Sequence, residues 1–487
     1  METEICNIAT NKLLTNSLGQ EPVESLKTGQ YFILNEFTNK QNFYNTIQEI
    51  ILDGIAKIES YSCRQQVEIA GLGKMHEYFP VDKVALLDLF IRERIFNTTL
   101  EMAYSFGKHD LKYQDDFFID RRLVVKINYP FPLAVKSKTT YSQYLKYGEQ
   151  IDLSQEPSQS FSSTVISGQK FKSVIKKILK KTIGVNKSTQ VTNSLQKEAH
   201  KNLSDAAQYH HRYPYAANSF GAHIDSWYGS ALNELNLWWA IAGVNQDNGI
   251  VLYPELFGQY LEYDHNFAYL PPGITLPKPH KFDMADGNLL IFNSDVLHGS
   301  NLNISDTTRI AIAPRIVLDK PKFNPNYQSL QKQIYHSSED IGKGDFERVV
   351  EFSMQENLGV LYKETQKSQI EKRISVIIDS LLSKQTPVAL CPSNTLGVGE
   401  KMIVNFQTES VIICRTSSNL QAVGANCPHM QVSLIDGFHN DDQLYCPGHG
   451  IEFSLHNGKS KCSLLKIQVY QAYDQNGQIF LAATGCQ

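Results

Sequence analysis

Two short turns near the C-terminus constrain this chain more than any other feature. Cys427-Pro428-His429 and Cys446-Pro447-Gly448-His449 each carry one thiol and one imidazole, with 16 residues between the two turns. Two thiolates and two neutral imidazoles fill four ligand positions, a set that zinc can use. Around them, Val388-Ala389-Leu390, Met402-Ile403-Val404, Val411-Ile412-Ile413 and Ile479-Phe480-Leu481 read as strands and predict a small all-β unit over 386–487. Cys6, Cys63, Cys391, Cys414, Cys462 and Cys486 lack ligand spacing and read as ordinary thiols.

The chain of 487 residues has room for two to three domains. Apolar residues make up 42% and charged residues 20%, which excludes wholesale disorder and fibrous structure. Lys+Arg is 46 against Asp+Glu 50, a net charge of −4, so no global basic field exists to hold nucleic acid. No apolar run is long enough to cross a bilayer. Met1-Glu2-Thr3-Glu4 lacks a charged-then-apolar leader, and eight cysteines are too few for a secreted disulfide scaffold. The expectation is a cytoplasmic protein with reduced thiols.

Hydrophobic periodicity predicts helices over 41–60 and 83–105 and a strand over 123–127. Residues 154–167, rich in Ser and Gln, read as a linker. A lysine-rich amphipathic helix is predicted over 170–184, within a basic helical insertion near 154–200. Its lysines would form a solvated face, lie on an anionic surface or dock an acidic electron donor. From 221 to 318, short apolar runs alternate with turns, the texture of a sandwich or barrel. Helix is expected again over 369–383, in a helical connector covering 321–385.

His223-Ile224-Asp225 supplies an imidazole and a carboxylate two residues apart. On a strand, such residues project to one face. His298, in Leu297-His298-Gly299-Ser300, completes a set of two histidines and one carboxylate. That set occupies three positions of an octahedral iron(II) and leaves three open. Arg309 lies 11 residues beyond His298, where a neighbouring strand would aim its guanidinium inward. A buried Arg wants a bidentate carboxylate, and the distal carboxylate of 2-oxoglutarate is one. Arg315, six residues further on, is its rival. His210 and His211 suit a substrate pocket or a surface. Trp227 and Tyr228 suit a pocket lining or a core. Gly71-Leu72-Gly73-Lys74 is too short for a P-loop and reads as a turn.

The C-terminal spacing resembles the Rieske [2Fe–2S] ferredoxin domain. Ala422-Val423, Gly437 and Gly450-Ile451-Glu452-Phe453 fit the resemblance too. It implies that Cys427 and Cys446 bind one iron and His429 and His449 the other, with a potential above that of an all-cysteine cluster. Val432 stands where respiratory-complex relatives carry a further Cys, which implies the oxygenase or ferredoxin type. Residues 209–318 resemble the phytanoyl-CoA dioxygenase family of iron(II)/2-oxoglutarate oxygenases. The resemblance is carried by Trp238-Trp239-Ala240-Ile241, Asp247-Asn248-Gly249-Ile250-Val251-Leu252-Tyr253-Pro254, and His298 through Arg309. It implies a jelly-roll with His223, Asp225 and His298 as the catalytic iron ligands and Arg309 on the cosubstrate. Asp225, in place of Gly or Ala, implies hydroxylation or desaturation over halogenation. Glu255-Leu256-Phe257 replaces the Gly-Ser-His of relatives in a loop that shapes the substrate pocket, so the substrate stays open.

The expected fold class is α+β to mainly β and multidomain. A double-stranded β-helix (jelly-roll) core with helical flanks would occupy 1–320, and an all-β Rieske domain 386–487. The expected activity is O2- and 2-oxoglutarate-dependent hydroxylation or desaturation of a C–H bond in a small biosynthetic metabolite. The [2Fe–2S] cluster would supply electrons to Fe(II)/Fe(III) or rescue it. The alternatives are an NAD(P)H-driven monooxygenase fed by a ferredoxin or flavin reductase, and a redox-sensing scaffold. Contact between cluster and iron across subunits would make the chain a homo-oligomer.

Overall fold

Helical periodicity in the first hundred residues produces helices that pack by their apolar stripes. In the computed structural model, α1 spans Gln20–Lys27, α2 Lys40–Ile58, α3 Tyr61–Ala70 and α4 Val84–Ser105. The structure describes residues 20–120, 122–144, 213–217, 219–228, 230–259, 261, 273–323, 335–343, 372–375 and 386–483. The linker 154–167, the basic helix 170–184, His210, His211, Cys6 and Cys486 lie outside them. Helix α2 buries Phe43, Ile47, Ile51 and Ile55. At Gly54 a Cβ would stand 2.6 Å from Leu87 of α4, so the missing side chain is what lets α2 and α4 approach.

Eleven strands follow or interleave: β1 Tyr31–Leu34, β2 Phe117–Asp120, β3 Val124–Asn128, β4 Glu234–Ala242, β5 Ile250–Tyr253, β6 His280–Lys281, β7 Leu289–Asn293, β8 Leu297–Ser300, β9 Arg309–Ala313, β10 Arg315–Leu318 and β11 Tyr335–Ser337. Eight of them form one sheet in the order β1-β7-β4-β10-β2-β11, with β9 pairing β3 and β4. The other three form a second sheet, β6-β5-β8. Strand β4 is buried along its whole length because both of its faces are covered. Leu235, Leu237, Trp239 and Ile241 face the helices in one apolar cluster. Trp238 and Ala240 face a second cluster with Leu290, Phe292, Ala311 and Ala313 of the large sheet and Ile250 and Leu252 of the small one. The two sheets therefore share an inner core.

Side-chain alternation decides what else points into that inner core. On β9 and β10, Arg309 and Arg315 share the parity of Ala311 and Ala313. On β3, Lys126 and Asn128 pair with Ala311 and Arg309. On β8, His298 pairs with Leu252. The interior is thus apolar in its middle and polar at these few positions.

The C-terminal unit is all-β, as predicted. Strands β12 Lys372–Ser375, β13 Val388–Pro392, β14 Lys401–Asn405, β15 Ser410–Arg415, β16 Leu420–Gly424, β19 Val469–Gln475 and β20 Gln478–Ala483 form a seven-stranded sheet. A hairpin of β17 Gln443–Tyr445 and β18 Glu452–Ser454 stands apart from it. One expectation is corrected here. The helix predicted over 369–383 gives way, in its described residues, to β12, which pairs parallel to β14. A free sheet edge outcompeted a short apolar period that suits either conformation. No helix among the described residues is long and apolar enough to cross a membrane.

The outer apolar cluster runs without a break from the N-terminal helices, past the large sheet, to Leu434, Phe453 and Leu465 of the C-terminal unit. Ile51 is fully buried within it. Ile51→Ala should cost about 2–5 kcal/mol of stability, read as a lower urea midpoint.

Candidate metal centres

The first centre is assembled by a backbone clamp between strand β8 and the segment around His223. His223 N–H donates to His298 O at 2.7 Å, and His298 N–H donates to His223 O at 2.9 Å. This isolated bridge sets the two imidazoles side by side, with ring centroids 4.4 Å apart. Gly299 allows it: a Cβ there would stand 3.1 Å from the backbone of Gly221 and Ala222. Asp225 reaches the same point by a different route from the one predicted. It opens a short 3-10 turn, Asp225–Tyr228, and is not on a strand. The turn, in place of alternation, brings its Oδ1 to 3.6 Å from His223 Nε2 and 3.8 Å from His298 Nε2. Ligand atoms of all three residues lie within 4.8 Å of one another, and all three residues are buried.

The tautomers suit a metal. His223 Nδ1–H donates to Gly221 O at 2.7 Å, and His298 Nδ1–H donates to Val296 O at 2.8 Å. Both Nε2 lone pairs are thereby left for an ion. Asp225 Oδ2 accepts from Asn236 at 2.7 Å and lies 3.1 Å from Arg315 Nη2, so Oδ1 alone is turned to the imidazoles. Burial would raise the Asp225 carboxyl, but the Arg315 guanidinium and both imidazoles outweigh it and hold it well below the usual range. Burial, with His223 alongside, pushes His298 down to about 4. A carboxylate and two neutral imidazoles are the donor set of a 2-His-1-carboxylate iron site, and the residues present fit it.

Arg309 is fully buried. Its guanidinium donates to Asn248 O at 2.8 Å and to Asn128 Oδ1. Its Nε has no partner, and it has no ion pair among the described residues. Burial alone pushes it down to about 10. Arg315, its rival, is committed elsewhere, to Asp225, Asp120 and Glu234. Sequence reading missed Lys126. Its ammonium sits 3.5 Å over the Phe220 ring, which lies 5.8 Å from the His223 ring. Burial, then the charges of Arg92 and Arg309, hold it well below the lysine range. The available signal was a lysine in the middle of an apolar strand. Trp227 packs in a side core with Ile224, Val251 and Leu297.

The second centre is built from two matching loops. In the first, Cys427 N–H donates to Val432 O and Gln431 N–H to Cys427 O. In the second, Cys446 N–H donates to Ile451 O and Gly450 N–H to Cys446 O. Gln431 and Gly450 both take the left-handed conformation, with φ of 57° and 64°. The two thiols lie within hydrogen-bond reach of each other. That bond, then burial, pushes the Cys427 thiol up, while the same bond pulls Cys446 down. The His429 and His449 rings meet edge to face at 4.8 Å. All four residues are buried. Two thiols and two imidazoles converging from two loops fit a Cys2His2 cluster.

The second centre packs on segments that flank the first. His449 Nε2–H donates to Ser219 O at 3.1 Å, and Leu302 N–H donates to His449 O at 3.1 Å. His429 Nε2 and the Tyr213 hydroxyl are 2.8 Å apart. Asn301 lies so close that a Cβ on Gly450 would fall 2.0 Å from its Oδ1. Around this contact, Lys461 pairs with Asp247 at 2.6 Å, and Lys281 pairs with Glu452.

Residues 386–469 match the Rieske family, described as the Rieske [2Fe-2S] domain, so the C-terminal unit is a Rieske domain whose cofactor is a [2Fe–2S] cluster. Among relatives, the biphenyl 2,3-dioxygenase ferredoxin component of Rhodococcus jostii (strain RHA1) is 28% identical over 72 residues, 15% of this chain and 67% of that protein. Among solved structures, the ferredoxin of carbazole 1,9a-dioxygenase from Nocardioides aromaticivorans IC177 is 21% identical. It aligns over 20% of this chain and 99% of its own, with a TM-score of 0.19. The Sphingomonas yanoikuyae B1 ferredoxin is 20% identical over 20% of this chain and 98% of its own, also with a TM-score of 0.19.

Asp225→Ala should abolish iron(II) binding at the first centre in equilibrium dialysis. Asn236→Ala, which removes one of the two partners of Asp225 Oδ2 and leaves Arg315, should lower iron(II) affinity by up to about 10-fold. Cys446→Ser should remove the cluster's visible absorption and leave iron(II) binding at the first centre intact.

Proposed function

We propose that this chain is a non-heme iron oxygenase that uses O2 and 2-oxoglutarate to hydroxylate or desaturate a C–H bond in a small metabolite. The four electrons that reduce O2 come from 2-oxoglutarate and substrate, and the Rieske domain returns iron that has strayed to iron(III) to iron(II). In this reading the two sheets around the inner core are the halves of a double-stranded β-helix within an oxygenase domain over 1–320, and 321–385 connects it to the Rieske domain. The dioxygenase ferredoxin components among the relatives support an electron-transfer role in an oxygenase system.

The observation that carries the proposal is Arg309, a guanidinium in the inner core whose partners are all neutral. A buried charge without a counter-ion is costly, and the nearby Lys126 is itself pushed down by burial and by Arg92 and Arg309. A dicarboxylate answers that cost. One carboxylate would meet Arg309 while the 2-oxo acid end reaches the iron held by His223, Asp225 and His298. Bound iron(II) supplies O2 activation coupled to the oxidation of 2-oxoglutarate to succinate and CO2. The chain does the rest. Gly221 O and Val296 O hold the imidazole protons away from the metal side. Arg315 and Asn236 keep Asp225 to one oxygen, which leaves positions open. Leu290 and Phe292 keep water from the interior, Phe292 at 5.0 Å from the His298 ring.

A second reading is a ferredoxin- or flavin-reductase-driven oxygenase without 2-oxoglutarate, in which Arg309 holds a substrate carboxylate. The contact of His449 with Ser219 and Leu302 favours it, since such an enzyme needs its electron donor close. One anaerobic titration separates the two. Iron(II) and then 2-oxoglutarate are added to the full chain, and the difference spectrum cancels the cluster. A metal-to-ligand charge-transfer band that weakens at least ~10-fold in apparent affinity in Arg309→Ala is expected, since losing one charged hydrogen-bond partner costs about 1.5–3 kcal/mol. Iron-loaded protein without the band would leave the second reading.

A further inference from the structure

Both ring nitrogens of His449 are spoken for if the Rieske domain holds its cluster, one by iron and the other by Ser219 of the same chain. Burial matters here as much as bonding. His449 is 2% exposed and His429 3% exposed, so the imidazole edge of the cluster is covered by this chain's own N-terminal part. Two bonded paths leave that edge. From His449 Nε2–H the first crosses one hydrogen bond to Ser219 O, follows the backbone through Phe220 to Gly221, and crosses a second from Gly221 O to His223 Nδ1–H. The second crosses from His449 O to Leu302 N–H and follows the backbone back to His298. A cross-link between Ser300 N–H and Phe220 O, 2.8 Å, ties the two paths together. Electron tunnelling falls off more slowly along bonds and hydrogen bonds than across gaps, and each path here has at most two hydrogen-bond crossings.

We propose that the segment Ser219-Phe220-Gly221 is an electron conduit that joins the cluster to the mononuclear centre within one chain, so that no second subunit takes part in the transfer. The inference rests on the reading of His223, Asp225 and His298 as an iron site. The step moves one electron: the reduced [2Fe–2S] cluster is oxidised, and iron(III) at the triad is reduced to iron(II). No bond is made or broken. The cluster is refilled by a one-electron carrier protein, which must approach by a face other than the covered histidine edge.

The geometry can be read without turnover. The triad of the full chain is loaded with cobalt(II), which is paramagnetic and not reduced by the cluster, or with zinc(II) as the diamagnetic control. The cluster is then reduced, and its electron spin relaxation is measured. Relaxation several-fold faster with cobalt than with zinc is expected. It should disappear in Asp225→Ala, which keeps the cluster. An equimolar mixture of Asp225→Ala chains and Cys446→Ser chains, loaded with cobalt, should show the slow zinc-like relaxation. Fast relaxation in that mixture would put the contact between subunits and overturn the proposal. Equal relaxation with cobalt and zinc in protein shown by dialysis to hold cobalt would also overturn it. Failure of the wild-type chain to bind either ion would instead sink the iron-site reading on which it rests. As a kinetic check, photoreduced cluster should reduce triad iron(III) with a first-order rate constant unchanged over a tenfold dilution. A rate that falls with dilution would exclude an intrachain conduit.

Discussion

The reciprocal backbone pair between His223 and His298 is the constraint on which the rest of this architecture depends. It fixes two imidazoles by main-chain geometry, before any metal contributes. Gly299 favours it, because a Cβ there would press on the facing backbone at 3.1 Å. The segment that follows β8, through Asn301 and Leu302, lies against the Rieske loops. One bridge therefore sets the ligand geometry of the first centre, next to the platform on which the second one rests.

Electrostatics divides the interior into two regions. Around Asp225, cations and anions are paired: Arg315 meets Asp225, Asp120 and Glu234 in one buried network. Around Arg309 they are not: its hydrogen-bond partners are neutral, and Lys126 feels its charge as another cation. A protein interior tolerates the first arrangement by itself, whereas the second carries an uncompensated cost, which the proposed dicarboxylate would offset.

Much of this was legible in the sequence because the relevant distances are short along the chain. The Cys/His turns are local loops, so their spacing exposes them. His298 and Arg309 sit on successive strands, so one strand-and-turn length predicts their relation. What could not be read depends on topology. Lys126 reaches Arg309 only because β3 pairs with β9, strands that lie far apart in sequence. Tyr213 and Ser219 meet the Rieske histidines through packing that no local pattern encodes. Asp225 was found for a partly wrong reason, since a 3-10 turn and not strand alternation aims it. The run at 372–375 carries an apolar pattern that serves a helix or a strand, and the partner strand β14 decided it.

Among the ion pairs around the contact of the Rieske domain with the N-terminal part, Lys281 with Glu452 is largely sequestered from solvent, whereas Lys461 with Asp247 is of the partly exposed kind that contributes little when two separate proteins meet. Joining donor and acceptor in one polypeptide changes what is required of them. A tethered domain sees its docking site at an effective concentration of order millimolar, whatever the abundance of the protein. Under the proposed function, the ratio of one cluster to one triad would be set at translation and not by the relative expression of two gene products.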